Sequence, residues 1–82
     1  MDPFIKEIQH INNVEDAIKK LKTQTEISPK LYEIINFIIE AHEGQYRKSG
    51  EPYCVHPILV ASITAHFSKD EAIIATALLH DV

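Results

Sequence analysis

An apolar run from Ala72 to Leu79 is followed directly by His80 and Asp81. Neighbouring residues on a helix point about 100° apart, so an imidazole and a carboxylate at these positions can both reach one ion lying between them. Ala77, one turn earlier, is small enough to leave room. Such a donor pair suits Mn, Fe, Zn or Ni. The same dipeptide also reads as a helix end carrying two polar residues, although polar groups beside an apolar helix must find partners when buried. His56 precedes Pro57, where its ring is free to turn into a cleft, or equally to cap a helix or face solvent. His42 lies one turn after Ile38 on an apolar stripe and is therefore expected to face the core. It would act there as a hydrogen-bonded core histidine or as a group orienting a metal ligand from behind. Arg47 and Lys48 put two cations into a loop containing Gly and Pro. A guanidinium fork and a compact ammonium suit phosphate, and the alternative is a solvated loop. Lys19, Lys20 and Lys22 read as a solvated helix face without function.

These side chains need elements to hold them, and the sequence predicts five helices and no strand, an all-α fold. Asp2 caps a short helix with Pro3 at its first position, reaching about His10. Asn12-Asn13 breaks the chain and caps a second helix over Val14 to Lys22, whose acids come early and bases late, as the helix dipole favours. Ser28-Pro29 starts a third. Its apolar residues Leu31, Ile34, Ile35, Ile38 and Ile39 repeat with helical period, and it is expected to end near Tyr46. Arg47 to Tyr53 reads as a loop. Pro57 opens a fourth helix, and a Ser68-to-Glu71 capping box starts a fifth near Lys69 that runs to Val82. Ile73, Ile74, Ala75, Leu78, Leu79 and Val82 surround most of that last helix, the pattern of a central core element.

Composition narrows the function classes. The chain has 82 residues, 45% hydrophobic and 24% charged, and a formal net charge of −4. That balance argues against a general nucleic-acid surface, which is normally basic, while leaving room for an anionic ligand at a local basic cluster. Cys54 is the only cysteine, which favours a reducing, cytoplasmic setting. No signal-peptide pattern and no apolar run long enough to span a bilayer is present, so no membrane partner is expected.

The run Ala41-His-Glu-Gly-Gln-Tyr-Arg-Lys-Ser-Gly-Glu-Pro-Tyr-Cys-Val-His-Pro-Ile-Leu-Val-Ala61, followed by Ala77-Leu-Leu-His-Asp-Val82, resembles the N-terminal HD hydrolase domain of the RelA/SpoT homologue family. The resemblance covers residues 29–82, with 1–28 as a helical lead-in. A generic HD protein would share His-Asp without the Arg-Lys-Ser-Gly-Glu-Pro-Tyr loop. The resemblance implies an all-helical HD/PDEase-like fold. It also implies a hydrolase that removes the 3′-pyrophosphate of the alarmone (p)ppGpp in the stringent response, using one Mn²⁺ ion. Carried over by position, His56, His80 and Asp81 are metal ligands. Arg47 lies by the metal site and Lys48 near the guanine base, while Ser49 and Tyr53 belong to the same substrate-facing loop.

In the family, His-Asp-Val is followed by a Glu-Asp pair near the attacking water, and a later Asp completes the metal site. The sequence stops at Val82, so the expectation is an N-terminal piece of such a hydrolase domain, inactive alone. Unsatisfied apolar faces at Ile73, Ile74, Leu78 and Leu79 predict self-association. A non-catalytic nucleotide-binding or oligomerising module, and a phosphohydrolase for another nucleotide, stand as the alternatives.

Overall fold

The computed structural model describes residues 2–82 and contains five helices: α1 (Pro3–Ile8), α2 (Val14–Lys22), α3 (Pro29–Ala41), α4 (Val55–Phe67) and α5 (Glu71–Leu79). Three of the starts follow from side-chain caps read directly off the sequence. Asp2 accepts from the Phe4 amide at 2.8 Å, Asn13 from Asp16 at 2.8 Å, and Ser28 from Leu31 at 3.2 Å. Each satisfies an amide that the first turn of a helix leaves without a backbone acceptor. No strand forms among the described residues; Tyr46 and Pro52 make a single antiparallel bridge.

α4 is the central element. It packs against α2 and α5, and α3 packs against α5. Ala61 and Ala65 of α4 and Ala77 of α5 carry minimal side chains at the core surface, so Leu21, Leu31, Ile35, Ile38, Ile58, Ile74 and Leu78 fill the space between the helices. Covering side chains of this size is worth roughly 1.5–3 kcal/mol each, which makes this cluster the main source of stability in so small a domain. α1 lies at the edge. Phe4 and Ile8 are its buried residues, and Lys20 of α2 pairs with Glu7 while its ammonium stands 4.9 Å from the Phe4 ring. Lys20 is therefore a tie between α1 and α2, whereas the sequence suggested a solvated face.

Several helix boundaries differ from expectation. α1 stops at Ile8 rather than His10. α3 ends at Ala41 instead of near Tyr46, because Gly44 takes a positive φ of +79° and turns the chain, a conformation glycine adopts without a Cβ clash. α4 begins two residues before Pro57, which sits in the first turn, where its missing N–H breaks no helical bond. The expected Ser68-to-Glu71 box does not form. Asp70 caps α5 instead, accepting from Ala72 at 2.9 Å and Ile73 at 3.4 Å, and Ser68 Oγ accepts from the Asp70 amide. A carboxylate next to the helix start serves both the orphan amides and the dipole.

α5 is also shorter than expected, ending at Leu79, and it is not covered on all sides. Ile74, Ala77 and Leu78 are buried, while Ile73, Leu79 and Val82 remain 49%, 38% and 58% exposed. Of the four residues expected to leave apolar surface, Ile74 and Leu78 are inside the core. The other two, Ile73 and Leu79, do expose apolar surface, as does Val82, and Phe37 of α3 lies beside Leu79. No helix among the described residues is long and apolar enough to cross a membrane.

Candidate metal centre and anion loop

The early end of α5 changes what His80 can do. A helix leaves its last carbonyls without amide partners, and the Ala77 carbonyl is one of these. His80, at the C-cap, donates its Nδ1–H to that oxygen at 2.5 Å. With the proton on Nδ1, the free lone pair is on Nε2. That atom lies 3.2 Å from Oδ2 of Asp81, the first residue beyond the cap. His56 enters from the first turn of α4, and its Nε2 lies 3.8 Å from the same oxygen. The two imidazole rings are 5.7 Å apart, tilted by 59°. Packing of α4 on α5 thus brings His56 to the adjacent pair His80 and Asp81, with the three donors all within 4.8 Å of one another.

The donor set fits a divalent ion. Ligand atoms held ~2.0–2.2 Å from one ion stand roughly 3–4 Å from each other, the range of the 3.2 and 3.8 Å separations. Two imidazoles and a carboxylate are borderline donors suited to Mn, Fe or Zn. His56 is held below the usual histidine range, first by burial and next by the Arg47 charge, with Asp81 opposing. A neutral imidazole is the ligating form.

Arg47, Lys48, Ser49 and Tyr53 all lie on the loop between α3 and α4, which is a small hairpin. The Arg47 amide donates to the Glu51 carbonyl at 3.0 Å, the Gly50 amide to the Arg47 carbonyl at 2.9 Å, and the Tyr53 amide to the Gln45 carbonyl at 2.9 Å. Gly50 has φ +101°, which favours a residue without Cβ. The Arg47 guanidinium stands 5.8 Å from the Tyr53 ring. On one side of it is a cleft of about 320 Å³ shared with His56, Ser49 and Glu51, with Ile8, Leu59 and Ile63 as an apolar wall. On the other is a shallow pocket lined by Tyr46, Lys48, Ser49 and Tyr53. Lys48 makes no ion pair among the described residues.

His42 does not sit where the periodicity put it. With α3 over at Ala41, it becomes the C-cap. Its Nδ1 pairs with Gln45 Oε1 at 2.9 Å and its ring packs 4.8 Å from Tyr53. Its Nε2 is buried without a partner, and neither Gln45 nor Tyr53 is one of the three donors. It braces the loop instead of facing the core. Sequence reasoning missed Glu51, whose carboxylate accepts from Ser49 Oγ at 2.8 Å and lies 3.6 Å from Arg47 Nε. Its signal was an opposite charge four residues after Arg47. It also missed the Ala77 carbonyl, which no side-chain pattern reveals. Cys54 is buried, and burial pushes its thiol up, away from the reactive thiolate.

Comparison with known proteins places the chain among relatives. Residues 35–82 match the family described as HD domain. The Haemophilus influenzae protein named guanosine-3′,5′-bis(diphosphate) 3′-pyrophosphohydrolase is 58% identical over 43 residues, 52% of this chain and 6% of the relative. The Borreliella burgdorferi protein of the same name is 37% identical over 86 aligned positions, 93% of this chain and 13% of the relative. The Escherichia coli K12 bifunctional (p)ppGpp synthase/hydrolase SpoT is 44% identical over 68 residues, 83% of this chain and 8% of the relative. No solved structure matches significantly. The chain therefore spans only a small part of these relatives' length, and the helical frame, the HD pair and the matched segment together make it a member of the HD domain family, with RelA/SpoT homologues among its relatives.

Proposed function

We propose that this chain supplies the metal-binding and anion-binding half of a (p)ppGpp 3′-pyrophosphohydrolase site. The observation that carries the reading is the convergence of His56, His80 and Asp81 beside a cleft that also holds Arg47. His56, His80 and Asp81 would hold one divalent ion, Mn²⁺ by family resemblance. When bound, such an ion supplies Lewis acidity at a phosphoryl oxygen and lowers the pKa of water. The chain's own residues bind and orient. Arg47 neutralises phosphate charge through a planar fork. Lys48, exposed at the hairpin tip, meets the guanine base, and Ser49 and Tyr53 complete the nucleotide-facing side. The Ala77 carbonyl holds the His80 ring in the ligating tautomer. Three donors are fewer than a closed site uses, so the 82 residues alone are expected to bind and not to turn over efficiently. A cytoplasmic setting suits the lone reduced thiol.

A chimera tests this reading. The chain would replace the matching segment of the Borreliella burgdorferi relative, and pyrophosphate release from ppGpp would be measured with Mn²⁺ present. Retained release supports the reading. A folded chimera that binds Mn²⁺ and leaves ppGpp intact would sink it.

A second reading has its own observation. Ile73, Leu79 and Phe37 expose apolar surface along α5 and α3. The isolated chain is expected to self-associate through that face, and a concentration-independent monomer in sedimentation velocity would contradict this.

A further inference from the structure

An acidic residue in an anion-binding loop runs against simple charge complementarity, yet Glu51 lines the same cleft as Arg47 and His56. Its contacts explain why it is there. Its carbonyl takes the Arg47 amide and closes the hairpin. Its side chain is largely covered, 19% exposed, and Oε1 accepts the Ser49 hydroxyl at 2.8 Å while lying 3.6 Å from Arg47 Nε. The guanidinium is thus held between the Glu51 carboxylate and the Tyr53 ring, approached by the carboxylate through Nε. An arginine has five N–H donors in a rigid fork. A contact through Nε leaves the terminal nitrogens to meet an oxyanion. The two flanking partners restrict rotamer freedom before any ligand arrives, which is the general route by which a preorganised group gains affinity.

We propose that Glu51 is a positioning residue for the anion loop, holding Arg47 and the Ser49 turn in the geometry that receives a phosphate or pyrophosphate group. The proposal rests on the reading of this loop as the phosphate-binding element. It goes beyond that reading because it gives a net-repulsive carboxylate a favourable role. Charge and positioning have opposite signs here. If Glu51 acted only as a charge, its removal would tighten anion binding.

The experiment compares the 82-residue chain with Glu51→Ala and Glu51→Gln. Arg47 Nε–Hε order is read by ¹⁵N relaxation, and inorganic pyrophosphate binding by calorimetry. In Glu51→Ala, Arg47 is expected to become mobile and binding to weaken about tenfold. Glu51→Gln keeps an acceptor for Ser49 and is expected to fall between the two. Unchanged Arg47 order in Glu51→Ala, or tighter pyrophosphate binding, would overturn the proposal. A wild-type chain that binds no pyrophosphate would count against the phosphate-loop reading, and Arg47 order would still decide the role of Glu51.

Discussion

α4 carries a histidine near each end, and the two have opposite fates. His56 and His66 are ten positions apart, roughly 15 Å along the helix. Each faces a carboxylate, Asp81 at 3.8 Å and Asp2 at 3.4 Å. His66 is used up by its surroundings. Its ring stacks on Phe4 at 4.4 Å with planes 4° apart, and Nδ1 pairs with Gln24 Oε1 at 2.9 Å. Gln24 in turn offers its amide nitrogen to Thr23 at 2.8 Å, and its carbonyl accepts from Lys69. His56 has no such packing. Its ring lies 5.7 Å from that of His80, and both group with the Asp81 carboxylate. Residue type does not separate these two histidines; what separates them is that the His66 ring is stacked and hydrogen-bonded in place while the His56 ring joins the three-donor group.

The difference can be probed by substitution at each end. Phe4→Ala should cost the most, about 3 kcal/mol in chemical denaturation, since it empties a buried aromatic position. It should leave cation affinity of the folded protein unchanged, and a parallel loss of affinity would show that the two ends are not independent. His66→Ala loses an aromatic stack and a side-chain hydrogen bond, together about 2 kcal/mol, again without effect on cation binding measured under native conditions.

Asp70→Ala removes the α5 cap and should cost about 1 kcal/mol. Unlike the first two it should also raise amide exchange across α5, because the capped helix carries His80 and Asp81 at its other end. Unaltered exchange there would mean that α5 is held by α4 packing alone. The smallest effect concerns pH. The Ser49 hydroxyl and then the loop backbone hold the Glu51 carboxyl below its ordinary range, with Arg47 adding to this. A depressed carboxyl pKa gives loop stability that is present above the unfolded value, near 4.3, and is lost as pH falls through the lower folded value. Protection of the Arg47 and Gly50 amides should therefore hold from neutral pH down to about 4.3 and decline only below it. A decline already complete above that range would place the responsible group elsewhere.

These comparisons also show which parts of the molecule were legible from residues alone. Helix starts at Asp2, Asn13 and Ser28 were, because a cap is a local bond between a side chain and an amide three or fewer residues away. The α5 start was not. Ser68 and Asp70 are both good caps, and the choice turns on which start lets Ile74 and Leu78 meet the core. The α3 end was misjudged because apolar periodicity outweighed Gly44, and the error moved His42 from the expected core to a loop brace. His80 and Asp81 were picked out as a pair from their types and spacing, and His56 was joined to them by resemblance. Their meeting depends on α4–α5 packing and on an orphan carbonyl at Ala77, neither of which a sequence pattern displays.

Paramagnetic broadening by Mn²⁺ tests the central claim most directly, because it reports on all five histidine rings of the chain at once. Substoichiometric Mn²⁺ added to the folded protein should erase the ring signals of His56 and His80 first and leave His66 sharp, and His80→Ala should abolish the selectivity. Broadening that spares His56 and His80, or that falls on His66 equally, would contradict a cation site at the α4–α5 junction.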